Sequence, residues 1–197
     1  MGHILDKLEL IVDGGTFTEY PKKYLELFFI YLFYAANMYW KLRELFPNYD
    51  TISGENLNFK ELQNLRQPLS IEEEIKINKT ADIHIIGICI ETRPDAIDNE
   101  WLYLFRKWGI TRIQLGAQHT DNKILKKCNR GHTVEQLNDA MEYLYDNCFK
   151  VDIHMMPDLP GSTPQKDMEM FDYTYDKVCP DQMKVYPCQV VPWTKIE

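Results

Sequence analysis

Short apolar runs recur along this chain and are separated by segments that carry the signals of helices. Five of these runs have the length and composition of β-strands: residues 8–12, 83–90, 111–115, 149–155 and 183–186. Ser70-Ile71-Glu72-Glu73 and Thr133-Val134-Glu135-Gln136 are capping boxes, which mark the first turn of a helix. Alternating strands and helices are typical of parallel βαβ units. The pattern therefore predicts an α/β fold, either part of a barrel or an open doubly wound sheet.

The most apolar stretch, residues 25–40, predicts a largely buried helix. Pro21 fits the first turn of this helix, which should continue to about Leu45. The stretch has 16 residues, whereas a helix that spans a bilayer needs about 20, so we expect no membrane contact. A helix that faces a membrane or a partner protein remains the alternative. Residues 46–67 contain many turn formers and predict mainly loop.

Length, charge and cysteine spacing narrow the class of protein. The 197 residues are enough for one domain, residues 1–197, and the net charge of -8 argues against nucleic-acid binding through overall charge. A basic cluster at Lys123, Lys126, Lys127 and Arg130 leaves a local contact open, although a solvated helix face is the simpler interpretation. The five cysteines form no C-x2-C pair, so we expect no metal ligands in this chain. They predict thiols in a reducing, cytoplasmic compartment.

Five polar or glycine-rich strings stand where the strands are predicted to end: Gly14-Gly15-Thr16-Phe17, Glu91-Thr92-Arg93-Pro94-Asp95, Gly116-Ala117-Gln118, Asn129-Arg130-Gly131-His132-Thr133 and His154-Met155-Met156-Pro157-Asp158-Leu159-Pro160. Ligands of parallel α/β folds bind at the carboxyl ends of the strands, where loops and helix N-termini converge. Five strings in series therefore predict one ligand site that is lined strand by strand.

The residue types in the first three strings suit a nucleotide-like ligand. Gly14 and Gly15 let the backbone approach a ligand closely, although a plain tight turn explains them as well. Glu91 can accept hydrogen bonds from a ribose diol, or form a salt bridge with Arg93 or another surface cation. Gln118 can both donate and accept, which suits a hydroxyl group or an adenine edge.

Charged and titratable side chains complete the candidate set. Arg130 precedes a helix start and can hold a carboxylate or phosphate through two hydrogen bonds. His154 falls at the end of a strand and could face the interior of the fold. His119 is interpreted as structural or exposed and His132 as a brace of its loop, and Lys184 as an anion ligand or an ordinary surface lysine.

In their order and spacing, the strings GGTF, GICIETRPD, LGAQ, NRGHT, HMMPDLPG and KVYP resemble the radical S-adenosylmethionine (SAM) domain of the Elongator catalytic subunit family. Proteins of this family are tRNA wobble-uridine acetyltransferases. The resemblance runs from Gly14 to Tyr186, nearly the whole chain. It implies a partial TIM-type (β/α)6 radical SAM barrel that lacks its first strand.

The resemblance also implies roles for individual residues. Gly14-Gly15-Thr16 match the segment that contacts the methionine amino group of SAM, and Glu91 matches the carboxylate on the ribose hydroxyls. Gln118 matches a second contact near the ribose, and Arg130 matches the arginine that holds the methionine carboxylate. His154 lies at a matched position and joins the candidate cofactor-binding residues without a specific role.

The implied cofactors and partners are SAM, a [4Fe–4S] cluster, acetyl-CoA as co-substrate and a tRNA anticodon, with a homodimer or Elongator-like subunits as further expectations. The family's cluster cysteines, spaced C-x9-C-x2-C, are expected upstream of this chain, and its acetyltransferase domain downstream. This chain is therefore expected to be an inactive fragment of such an enzyme. Two alternatives remain: a short, non-catalytic SAM-pocket module for binding or interaction, and another radical SAM enzyme with a different acceptor.

Overall fold

The structure is a computed structural model that describes residues 6–45, 65–190 and 192–193. In this part of the chain, one sheet is formed by β1 (Lys7–Val12), β2 (His84–Thr92), β3 (Arg112–Gln118), β4 (Lys150–Met155) and β5 (Gln182–Val185). The strands follow one another in chain order, and β2, β3, β4 and β5 pair in parallel. A doubly wound sheet would reverse its order at a switch point. The sequential order is that of a TIM-type fold, which confirms the predicted fold class.

The helices between the strands begin close to the predicted positions. Those of the described residues are α1 (Lys22–Asn37), α2 (Tyr39–Leu45), α3 (Ile71–Asn78), α4 (Asn99–Lys107), α5 (Asn122–Lys127), α6 (Val134–Asp146) and α7 (Pro164–Tyr173). Both capping boxes are formed, by Ser70 at α3 and by Thr133 at α6. A single π-helical turn, Thr174–Val178, follows α7. The loop predicted at residues 46–67 falls largely on residues 46–64, which lie outside the described residues.

By its internal contacts the chain divides into two compact units, and the first takes residues 6–10, 20–45, 65–87 and 107–109 of the described chain. Its core contains Leu25, Phe29 and Phe33 of α1, and Phe29 stacks on Trp108 with ring centroids 5.5 Å apart. The capping box of α3 fixes the start of the second helix in this core. No helix of the described residues is long and apolar enough to cross a bilayer.

The prediction of one largely buried helix over residues 25–40 is wrong in two respects. The helix stops at Asn37, and α2 begins at Tyr39. Only a single stripe of α1 is buried, whereas Leu27 and Tyr31 on its other side are 45% and 56% exposed. Residues spaced by four lie on the same side of a helix, so one stripe is enough to fill this core.

The second unit takes residues 11–19, 88–106, 110–190 and 192–193, and it contains every candidate site residue. Its core is formed by one face of the sheet and by α6, which buries Leu137, Ala140 and Leu144. Ile113 and Leu115 of β3 are both fully buried on that face. Successive residues of a strand point to opposite faces. The alternate positions of β3 therefore face the other way, and they include Arg112, Gln114 and Gln118.

Candidate functional site

Polar side chains occupy one face of the sheet on four consecutive strands. Glu91 is in register with Gln114 of β3, and His154 of β4 is in register with Lys184 of β5. Residues that pair across neighbouring strands point to the same face. The sequence thus places a carboxylate, an amide, an imidazole and an ammonium group side by side.

These side chains line a cavity of about 300 Å³ at the carboxyl ends of the strands. Its full lining is Asp13, Glu91, Gln114, Gln118, His154, Met156, Lys184 and Tyr186. Three of the seven predicted cofactor-binding residues, Glu91, Gln118 and His154, therefore come together. The cavity lies where parallel α/β folds bind their ligands.

Gln114 is the centre of the hydrogen-bond network in this cavity. Lys184 Nζ and His154 Nε2 both lie 3.1 Å from Gln114 Oε1. Because a lysine ammonium group can only donate, the amide oxygen must face it. The same oxygen can only accept, so the Nε2 atom of His154 carries a proton. One buried amide therefore fixes both the orientation of Lys184 and the tautomer of His154.

The other ring nitrogen of His154 faces the carboxylate of Glu91. Nδ1 lies 3.4 Å from Glu91 Oε1, and the imidazole is only 8% exposed. Burial lowers the pKa of His154, and the neighbouring Glu91 opposes this effect. The alternative of a Glu91–Arg93 salt bridge is wrong, since Arg93 pairs with Asp95 at 2.9 Å and with Glu19 at 3.5 Å. One oxygen of Glu91 thus contacts a titratable partner at the cavity wall.

Gln118 enters the cavity from an unusual backbone position at the end of β3. Its φ angle is +68°, and its carbonyl oxygen accepts a hydrogen bond of 2.8 Å from the backbone N–H of Met156. The side-chain Oε1 atom is buried and has no hydrogen-bond partner among the described residues. An unpaired buried acceptor costs free energy unless a ligand or water supplies a donor.

Arg130 lies beside Gln118 without lining the cavity itself. Its Nη2 atom donates to the carbonyl oxygen of Gly116 at 2.9 Å, and its Nε–H group is buried without a partner among the described residues. Burial lowers the pKa of Arg130, and the charge of Arg93 adds to the effect. A Cβ atom on Gly116 would meet both Arg130 Nη2 and Gln118 Nε2 at 3.1 Å. The glycine therefore leaves room for both side chains beside its backbone.

The glycine turn after β1 is placed next to the cavity lining rather than in it. Gly14 and Gly15 have φ angles of +99° and +66°, and a Cβ atom on either would meet nothing within 4 Å. Thr16 is half-buried, and its carbonyl oxygen accepts from the N–H of Glu19 at 3.0 Å. The turn thus presents an open backbone surface that directly follows Asp13 of the lining.

A buried polar cluster holds the loops beneath Gln118. His119 is 1% exposed, and its Nε2 atom lies 3.3 Å from Asp167 Oδ1. The other oxygen of Asp167 accepts from the N–H of Asp158 at 3.0 Å, and Ser162 Oγ also donates to Asp167. His132 donates to the carbonyl oxygen of Ala117 at 3.0 Å. The interpretation of His119 and His132 as structural is confirmed.

Sequence reasoning missed Gln114, which organises the whole network. The residue is 2% exposed and stands at an alternate position of an otherwise apolar run, Ile113 to Ala117. A polar residue in a buried strand needs a partner, and this signal was available in the sequence.

The described residues form no metal centre. They contain no group of three or more His, Cys, Asp or Glu side chains that could hold a metal ion. All five cysteines lie in the described part of the chain, and none forms a disulfide. Burial raises the pKa of the Cys89 thiol to about 11, so it stays protonated and is a poor metal ligand.

Comparison with known proteins agrees with the resemblance seen in the sequence. A family model described as the radical SAM superfamily matches residues 53–174, more than half of the chain. The tRNA uridine(34) acetyltransferase of Methanocaldococcus infernus is 35% identical over all of this chain, which covers 32% of that protein. Elongator complex protein 3 of Homo sapiens is 33% identical over 98% of this chain, which covers 31% of it.

A solved structure gives the same result for the fold. The archaeal Elp3 of Methanocaldococcus infernus with an N-terminal deletion has a TM-score of 0.81 and 36% identity, over 99% of this chain and 40% of that one. The chain spans about a third of the length of the curated relatives it matches. With the family model covering most of its length, the chain belongs to the radical SAM superfamily.

Proposed function

We propose that the cavity binds SAM and that the chain is the SAM-binding part of an enzyme that modifies uridine 34 of tRNA. Membership of the radical SAM superfamily implies SAM and a [4Fe–4S] cluster. The name of the archaeal relative supplies the tRNA substrate. Acetyl-CoA as second substrate, and a carboxymethyl-type product, complete the proposed reaction.

The observation that carries the proposal is a pair of unsatisfied groups at one strand end. Gln118 Oε1 and Arg130 Nε are both buried and have no partner among the described residues, and both side chains approach Gly116. A guanidinium with an unused N–H group suits a carboxylate. An amide oxygen beside it suits a hydroxyl or amino donor. SAM carries a carboxylate, an amino group, a ribose diol and an adenine amine.

The residues of this chain can be assigned to the parts of SAM. Arg130 holds the methionine carboxylate, and Glu91 accepts from the ribose hydroxyls through the oxygen that His154 leaves free. Gly14-Gly15-Thr16 offer backbone groups to the amino group, and Gln118 contacts the ribose side. When bound, SAM and the cluster supply an organic radical that removes a hydrogen atom. The described residues do not fit a cluster, so the proposal assigns its ligands to a part of the protein upstream of this chain.

The partner molecules follow from the same family likeness. The proposal places a tRNA anticodon over the cavity mouth in the full-length protein, with the basic surface supplied elsewhere because this chain has a net charge of -8. Elongator-like subunits or a second copy of the chain are expected partners, in analogy to the Elongator complex name of the human relative.

The test uses the natural full-length protein, loaded anaerobically with its cluster. Wild-type protein with SAM, reductant, acetyl-CoA and tRNA should release 5′-deoxyadenosine and modify uridine 34, as measured by mass spectrometry. Glu91→Gln should weaken SAM binding roughly 10- to 150-fold, because a charge-assisted hydrogen bond contributes about 1.5–3 kcal/mol. Glu135→Gln, at an exposed glutamate of α6 that contacts Asn122, is the matched control and should bind SAM normally.

Three outcomes would contradict the proposal in different ways. Equal SAM affinity of wild type and Glu91→Gln would remove the site assignment. SAM binding without 5′-deoxyadenosine formation would favour a non-catalytic module. Deoxyadenosine formation without a change in uridine 34 would favour a radical SAM enzyme with another acceptor.

A further inference from the structure

The β5 side of the cavity carries a cation that the proposed SAM contacts leave unused. Lys184 Nζ donates to Gln114 Oε1 at 3.1 Å, and this amide oxygen is its one acceptor among the described residues. No carboxylate of the described residues lies within 4 Å of it. An ammonium group has three N–H donors, so two remain for a ligand in the cavity.

An aromatic ring stands directly beside this cation. Tyr186 follows β5, lines the same cavity and is 42% exposed. Its ring is held by an edge-on contact with His154, with centroids 5.3 Å apart and planes at 70°. Its backbone N–H donates to the carbonyl oxygen of Met155 at 2.9 Å, which fixes the residue to β4. The ring is therefore anchored, and part of its surface is open to the cavity.

A donor-only cation next to an open aromatic ring defines the chemistry of its ligand. Aromatic side chains stack on nucleobases, because every base has a π-face. The two unused N–H donors of Lys184 require acceptors. Uracil offers carbonyl oxygens at its edge, whereas cytosine replaces one of them with an amino donor. A donor facing a donor is unfavourable, so Lys184 favours uracil over cytosine where position 4 of the base faces its ammonium group.

We propose that Lys184 and Tyr186 form the target-base subsite, in which a uracil ring stacks on Tyr186 and its O4 carbonyl oxygen accepts from Lys184. Lys184 is then the residue that selects uridine over cytidine. This inference rests on the proposed function, because that function supplies the nucleotide, and it adds the residues that recognise the base. Gln114 connects this subsite to the side of the cavity that carries His154, since it contacts both Lys184 and His154.

The experiment compares anticodon stem-loops that carry U or C at position 34, in the full-length, cluster-loaded protein with SAM present. A correctly placed hydrogen bond to a base edge discriminates by about 1–3 kcal/mol, so wild type should bind the U34 stem-loop roughly 5- to 150-fold more tightly. A glutamine side chain has both an N–H donor and a carbonyl acceptor, so it can pair with either base. Lys184→Gln should therefore bring the ratio of the two Kd values close to one. Lys184→Arg keeps donors only and should retain the preference for U34.

Three further variants separate recognition from general damage. Tyr186→Leu should weaken both stem-loops equally, whereas Tyr186→Phe keeps the ring and should resemble wild type. Lys177→Gln, at an exposed lysine of the turn after α7, is the matched control and should keep the wild-type ratio.

The possible results distinguish this inference from the function on which it rests. A wild-type protein that neither prefers nor modifies U34 overturns both. A wild-type protein that modifies U34, with an unchanged U-to-C ratio in Lys184→Gln, overturns only the base subsite. A raised KM for acetyl-CoA with an unchanged ratio also overturns it, and assigns Lys184 to the acyl donor instead.

Discussion

Arg130 offers the most informative perturbation of the proposed SAM site. Arg130→Met removes the charge and all five N–H donors and keeps a side chain of similar length. In the structure the guanidinium donates one hydrogen bond to the carbonyl oxygen of Gly116, and its Nε–H group has no partner among the described residues. The substitution should therefore lower two separate quantities, the free energy of unfolding and the affinity for SAM.

Each cost has a magnitude that follows from these contacts. Leaving the Gly116 carbonyl without its donor should lower the free energy of unfolding by about 1–3 kcal/mol. Losing the charge-assisted contact with the methionine carboxylate should weaken SAM binding by about 1.5–3 kcal/mol, which is roughly 10- to 150-fold. Arg130→Lys keeps the charge but not the forked geometry, so its loss of affinity should lie between wild type and Arg130→Met.

Decarboxylated SAM isolates the contact with the carboxylate. Equilibrium binding of both ligands to the cluster-loaded protein should show that wild type prefers SAM and that this preference is smaller in Arg130→Met. Urea unfolding of the same samples measures the structural cost separately. If Arg130→Met keeps the full preference for SAM over the decarboxylated ligand, Arg130 does not hold the carboxylate and the orientation of SAM proposed here is refuted.

Two further predictions concern stability. Burial lowers the pKa of His119, His132 and His154, so the unfolded chain takes up protons before the folded protein does as the pH falls below about 6.5. The free energy of unfolding should therefore decrease between pH 7.5 and 5.5. A urea midpoint that stays constant or rises over this range would contradict the prediction. Gly109 has a φ angle of +76°, and a Cβ atom there would lie 3.2 Å from Phe33 Cζ. Gly109→Ala should therefore cost more than the roughly 1–2 kcal/mol of backbone strain alone, whereas Gly15→Ala, which meets no neighbour, should show only that strain; equal losses would exclude a packing contribution.

The fold was predictable where local signals and hydrophobic period agree. The capping boxes at Ser70 and Thr133 and the apolar runs of β2, β3 and β4 gave each element within a few residues. The extent of burial of α1 was not predictable from its composition. How much of an apolar helix is buried depends on how many of its sides pack against neighbouring elements. Position 38, where α1 and α2 separate, has no Gly or Pro to mark it.

The site was predictable in its residue types but not in its internal contacts. The strand-end strings brought Glu91, Gln118 and His154 to one cavity, because parallel strands deliver their carboxyl ends to one edge. The pairing of Glu91 with His154 rather than Arg93 depends on sheet register, which the sequence does not display. The same is true of Gln114, whose partners are 40 and 70 residues away in the chain.

The central claim is that the strand-end cavity holds SAM, and a crystal structure of the cluster-loaded, full-length protein with SAM tests it most directly. The account predicts the ribose hydroxyls within hydrogen-bonding distance of Glu91 and the methionine carboxylate on Arg130. A well-ordered SAM molecule bound elsewhere, with Glu91 still contacting only His154, would contradict it.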